Sequence, residues 1–95
     1  LNIYMKLELQ KFGKVLTSRS SGKEAYLAAK AYSLPTDTED SIEVDFEGVQ
    51  VLAPSWADEF ITPLLRDFSK RVVFLPSNNS SVRATLDFLR TILTN

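Results

Sequence analysis

Between residues 42 and 68 the spacing of apolar side chains changes from one period to another. Ile42, Val44 and Phe46 alternate with acidic residues, as in a strand with one face buried. Trp56, Ala57, Phe60, Ile61, Leu64, Leu65 and Phe68 then recur at the steps of a helix with one apolar face. A chain with this change of period lays a helix on a sheet. In "NIYMKLELQ" the residues Ile3, Met5, Leu7 and Leu9 share one face and Tyr4, Lys6, Glu8 and Gln10 the other, which predicts a first strand. "KFG" turns through Gly13 and "KVLTS" suits an antiparallel return strand, so an opening hairpin is expected.

The remaining segments extend the alternation. "SSGKEAYLAAKAYSLP" has Ser21 and Glu24 at capping-box spacing, is rich in Ala, Leu and Lys, and stops before Pro35. Its expected buried stripe is Ala25, Leu27 or Ala28, Ala31 and Tyr32. The run "TDTEDS", with Asp37, Glu39 and Asp40, reads as a solvated acidic loop and lacks the glycine and ligand spacing of a calcium loop. Pro63 costs a helix interior about 3 kcal/mol, so a kink is expected there, or a break after Ile61 with Thr62 capping a new segment. "RVVFLP" suits a strand covered on both faces, and "SNNSS" a turn and cap. "VRATLDFLRTIL" places Val82, Leu86, Leu89 and Leu93 along a last helix. The order β-β-α-β-α-β-α predicts one α/β domain over residues 1–95. Its small mixed sheet has about four strands, an opening hairpin followed by parallel crossovers, and is flanked by about three helices.

Composition then restricts function. Eleven basic residues nearly cancel twelve acidic ones, which disfavours nucleic acid and anionic membrane as partners. Neither cysteine nor histidine occurs among the 95 residues. That removes Ser-His-Asp and Cys-His catalysis and the usual zinc sites, so no enzyme, metal or cofactor is expected. The three glycines form no G-x-G-x-x-G or Walker motif. No apolar stretch approaches the roughly 20 residues that span a bilayer, and a cytoplasmic location is expected. The first residue is Leu1 rather than Met, as in a trimmed chain or one piece of a longer protein.

The run "VDFEGVQVLAPSWADEFITPLL", preceded by "FGKVLTSRSSGKEA", resembles the bacterial STAS-like domain family of unknown function, with an acidic-glycine strand end and a serine-aromatic-Ala-Asp-Glu helix start. The resemblance extends from Gly13 to Leu93. That family is in turn similar to STAS domains of anti-sigma factor antagonists. The resemblance implies a small sheet flanked by helices, a non-enzymatic regulatory role, and a protein partner of the ATPase or histidine-kinase-like type. In those antagonists the corresponding place reads D-x-S-G-V-x-x-x-D-S-S-G, and the first serine of the pair is phosphorylated. Laid on this chain, Asp45, Gly48 and Val49 match, whereas Ala53 stands for the later aspartate, Pro54 for the phosphorylated serine, Ser55 for its neighbour and Trp56 for the glycine. The phospho-acceptor is missing.

The candidate surface is therefore Pro54, Ser55, Trp56, Asp58 and Glu59, supported by Arg19, Asp45 and Gly48. Ser55 is expected to cap the helix, with Asp58 reciprocating three residues later. Trp56 fits the core or an interface anchor, the core first. Asp58 and Glu59, being adjacent, are expected to point apart rather than act as a pair. Arg19 is expected to bridge to Asp45 or Asp58, or to receive an anionic group. A second functional class uses the same place: a small-ligand module whose helix amides after Ala53, with Arg19, hold an anion or a nucleotide phosphate.

Overall fold

Ile42 and Val44 are fully buried because β3 is the central strand of a three-stranded parallel sheet ordered β1-β3-β5. The structure, a computed structural model, describes residues 4–34 and 41–93. The acidic run at Asp37, Glu39 and Asp40 lies outside the described residues. Within them the order is β1 (Tyr4–Glu8), β2 (Val15–Leu16), α1 (Arg19–Tyr32), β3 (Ser41–Asp45), β4 (Val51–Leu52), α2 (Pro54–Phe68), β5 (Val72–Phe74) and α3 (Ser80–Leu93). Single 3₁₀ turns occupy Leu9–Phe12 and Ser69–Arg71.

The opening hairpin does not form, and the described strands pair in parallel only. A hairpin requires the chain to reverse after β1. Instead the turn Leu9–Phe12 and Gly13, at φ 132°, step the chain aside and send it onward, with Leu9 fully buried through the step. β1 pairs with β3 and β2 with β4, in a separate two-stranded ladder. The β3 line makes a matching step at residues 46–50, one residue shorter than that at residues 9–14. The two lines are thus a pair of interrupted parallel strands. Gly48, at φ 86°, turns the second step, and the Gln10 side chain of the first step lies where a Cβ on Gly48 would be.

β4 pairs with β2 along one edge, and α3 closes the other. The Leu52 amide donates to Ser81 Oγ at 2.8 Å, and the Leu52 carbonyl accepts from Thr85 Oγ1 at 2.6 Å and Ser81 Oγ at 3.1 Å. Asn79 caps α3 by accepting from the Val82 amide at 2.9 Å, and its Nδ2 donates to the carbonyls of Val49 and Gln50. The "SNNSS" segment is the expected turn and cap, and it also fastens α3 to the sheet. Val82 and Leu89 are buried as expected, but Thr85 joins them and Leu93 is exposed.

The other departures have equally local causes. β5 is not covered on both faces: Val73 stands 46% exposed, in register with Glu43 and Lys6 on the uncovered face of the sheet. α1 is capped by Ser18, whose Oγ accepts from the Ser21 amide at 3.2 Å, and not by Ser21. Its buried stripe is Gly22, Ala25, Tyr26 and Ala29, while Leu27 and Tyr32 face solvent. The stripe is phased by Gly22: a Cβ there would overlap the Trp56 carbonyl and lie 3.0 Å from Trp56 Cα. α2 continues unbroken through Pro63, and Thr62 caps nothing but donates to Asp58 Oδ1 at 2.8 Å. Burial of Phe60, Ile61 and Leu64 on either side of the proline offsets its lost hydrogen bond.

Replacing Ser81 with alanine leaves the buried Leu52 amide without its acceptor, a loss of about 1–3 kcal/mol. Urea denaturation of Ser81→Ala is expected to show that loss, whereas Ser80→Ala, at an exposed position, stays within about 0.5 kcal/mol of the parent.

Candidate functional site

The head of α2 is set by the end of β4. Ala53 donates its amide to the Leu16 carbonyl at 2.9 Å and, at φ −91° and ψ 150°, serves as the N-cap without a side-chain hydrogen bond. Pro54 takes the first helical position, where its fixed φ suits the helix and its missing donor is no loss. Ser55 is therefore already inside the helix and exposed, and it does not cap it as expected. Asp58 does not reciprocate a cap either.

Trp56 is 1% exposed and belongs to the core, so it contributes no surface to a partner. Its ring stacks on Phe60 at 5.0 Å between centroids, with Phe12 tilted against both and Tyr26 edge-on to Phe60 at 5.7 Å. The Tyr26 hydroxyl emerges from this cluster to donate to Asp67 Oδ2 at 2.6 Å.

Asp58 and Glu59 converge rather than diverge. Arg19 Nη1 donates to Asp58 Oδ2 at 2.9 Å and to Glu59 Oε2 at 3.0 Å. This is the expected Arg19–Asp58 bridge with a second carboxylate added. The geometry follows from α1 resting on α2 at Gly22, which sets Arg19, the first residue of α1, over the first turns of α2. Arg19, followed by the Thr62 hydroxyl, holds the Asp58 carboxyl below the usual carboxylate range. Asp67 is likewise lowered, first by the Tyr26 hydroxyl and then by Arg66, while burial pushes the Tyr26 hydroxyl up.

Asp45 and Gly48 stand apart from this cluster. Asp45 accepts the Glu47 amide at 3.0 Å and lies 3.7 Å from Lys6 Nζ, so it starts the step between β3 and β4 that Gly48 completes. Both are turn-forming residues. The structure instead joins Arg19, Pro54, Ser55 and Asp58 to Phe88, Leu89 and Ile92 of α3 around a groove of about 370 Å³. Phe88 and Ile92 are each 51% exposed. Their signal in the sequence is an apolar pair four residues apart, off the stripe of Val82 and Leu89. Among the described residues, no three His, Cys, Asp or Glu side chains are grouped to hold a metal ion, and no helix is long and apolar enough to cross a membrane.

Residues 29–83 match the STAS-like domain of unknown function (DUF4325), and the chain belongs to that family. The match runs from the last turn of α1 to the first turn of α3, so it takes in β3, β4, α2 and β5, and Arg19 lies outside it. The fold is accordingly that of a STAS-like domain, with three helices and small parallel sheets. No curated protein and no solved structure matches the chain.

The lowered carboxyls set the acid dependence of stability. A group whose folded pKa is depressed contributes fully above its unfolded value, about 3.9 for aspartate, and the contribution is lost as pH falls through the lower folded value. Denaturation midpoints are therefore expected to hold at neutral pH and to drop below about pH 4, with a shallower drop for Asp58→Asn. Identical acid profiles for the variant and the parent would count against the Arg19–Asp58 bridge.

Proposed function

We propose that this chain is a non-catalytic regulatory module that binds a protein partner at the head of α2, through the groove between α2 and α3. The observation that carries this reading is the pairing of two half-exposed apolar side chains, Phe88 and Ile92, with a polar rim of Arg19, Ser55 and Asp58. Apolar anchors inside a polar border are the usual anatomy of a protein interface. The STAS resemblance supplies the partner class, an ATPase or histidine-kinase-like regulator. Pro54 cannot accept a phosphate, and a phosphate on Ser55 would share the groove with the Asp58 carboxylate. Binding at this surface is thus constitutive rather than gated by the serine pair of the antagonists.

The small-ligand alternative relies on the same helix end with Arg19 as its cation. Arg19 is engaged by two carboxylates at 2.9 and 3.0 Å, which favours the protein partner. Titration calorimetry of the full chain against a purified anti-sigma-type ATPase from the same genome tests the proposal. Phe88→Asp combined with Ile92→Asp is expected to weaken the complex at least about tenfold, as loss of interface anchors does, while Leu27→Asp on exposed α1 leaves it unchanged. Equal binding by the double variant, or no complex with the parent, contradicts the proposal.

A further inference from the structure

A second surface, separate from the head of α2, lies along β5. β5 is a sheet edge, paired with β3 alone among the described strands. The Leu75 amide donates to the Val44 carbonyl at 2.9 Å, which fixes the phase of the parallel ladder. Groups on alternate residues of a strand point to the same side, so the carbonyl of Val72 and both the amide and the carbonyl of Phe74 turn to the open edge. The Val72 amide is closed onto the Ser69 carbonyl.

Beside this edge run two cavities that share Phe74, Leu86 and Arg90. The first, about 160 Å³, is walled by Ile61, Leu65, Leu89 and Leu93 in addition. An apolar cavity of about 150 Å³ accommodates a benzene, so this one accepts one branched or aromatic side chain. The second, about 440 Å³, continues along α3 to Arg83. Arg83 borders the groove on α3, Arg90 beside it is paired with Asp87, the acidic residue of the lining, at 3.5 Å, and Lys70 and Arg71 immediately precede the strand.

We infer that the β5 edge and its groove receive an extended segment of a protein partner, apolar at alternate residues and acidic between them. The segment adds a strand through Val72 and Phe74 and places one apolar side chain among Leu65, Phe74 and Leu86. Its carboxylates meet Arg83 on the α3 side of the groove. A second copy of this chain is the poorer occupant, because pairing two β5 edges about a two-fold axis brings cationic rims together.

The probe is a capped octapeptide alternating Val with Glu, titrated into the isotopically labelled full chain and followed by amide chemical shifts. Saturable shifts are expected at Val72 to Leu75 and along Leu86 to Arg90. A Val/Lys peptide and the Arg83→Glu variant should each bind several-fold more weakly, the effect of reversing an exposed ion pair. Methylating alternate amides of the Val/Glu peptide should abolish binding in one phase and spare it in the other, a readout that needs no change to the protein. Phe88→Asp leaves this binding intact, which separates it from the surface at the head of α2. Equal binding of the Val/Glu and Val/Lys peptides, indifference to methylation in both phases, shifts confined to Pro54–Asp58, or dimerisation through β5 without peptide would overturn the inference.

Discussion

The backbone contact between Gly22 and Trp56 is the constraint on which the rest of this domain depends. α1 lies so close to the head of α2 that a single added methyl would overlap the Trp56 carbonyl. That approach fixes which residues of α1 face inward, Ala25, Tyr26 and Ala29 following Gly22 at helical steps. It sets Tyr26 edge-on to Phe60, and beside it the Trp56 ring is held in the stack with Phe60 and Phe12. One turn before Gly22, it brings the guanidinium of Arg19 to two carboxylates of α2. The ion pairs are partly exposed and stabilise little in themselves. They orient the polar rim of the groove, and the close helix contact puts them there.

The sheet complements this arrangement from the other side. Two strand lines step aside together, with the turn of one resting on the turn of the other at Gln10 and Gly48. Among the described residues the two-residue β4 has no third strand beside it, and Ser81 and Thr85 of α3 supply the hydrogen bonds such a strand would have made to Leu52. Anchoring α3 by its first turns commits Val82, Thr85 and Leu89 to the interior and leaves Phe88 and Ile92 outward next to Pro54 and Ser55. The exposed apolar pair is thus a consequence of how the sheet edge is closed.

Much of this was legible in the apolar periodicity. Ile42, Val44 and Phe46 and the long face of α2 are buried as their spacing predicts, because both faces pack on a single core and the period is unbroken. α1 was misread because its alanines give a weak pattern on every side, and what chooses among the sides is a glycine whose partner is 34 residues away in sequence. The hairpin was misread because Gly13 signals a turn without saying whether the chain reverses. At the site, the Arg19–Asp58 pair and the burial of Trp56 follow from the sequence, but Ser55 does not take the capping role its position suggests. Pro54 shifts the cap to Ala53, an identity with no capping side chain, and Trp56 then falls one position further into the helix, on its buried face. Phe88 and Ile92 looked like any apolar pair, since exposure depends on where α3 is pinned.

The account stands most directly on Gly22→Ala, followed by urea denaturation with Trp56 fluorescence as the probe. Alanine is the better helix former by about 1 kcal/mol, so an uncrowded position would gain stability on substitution. A methyl forced against the Trp56 backbone is expected instead to cost about 1–3 kcal/mol and to perturb the native emission of the tryptophan. A variant more stable than its parent, with unchanged emission, would contradict the close approach on which the domain is built.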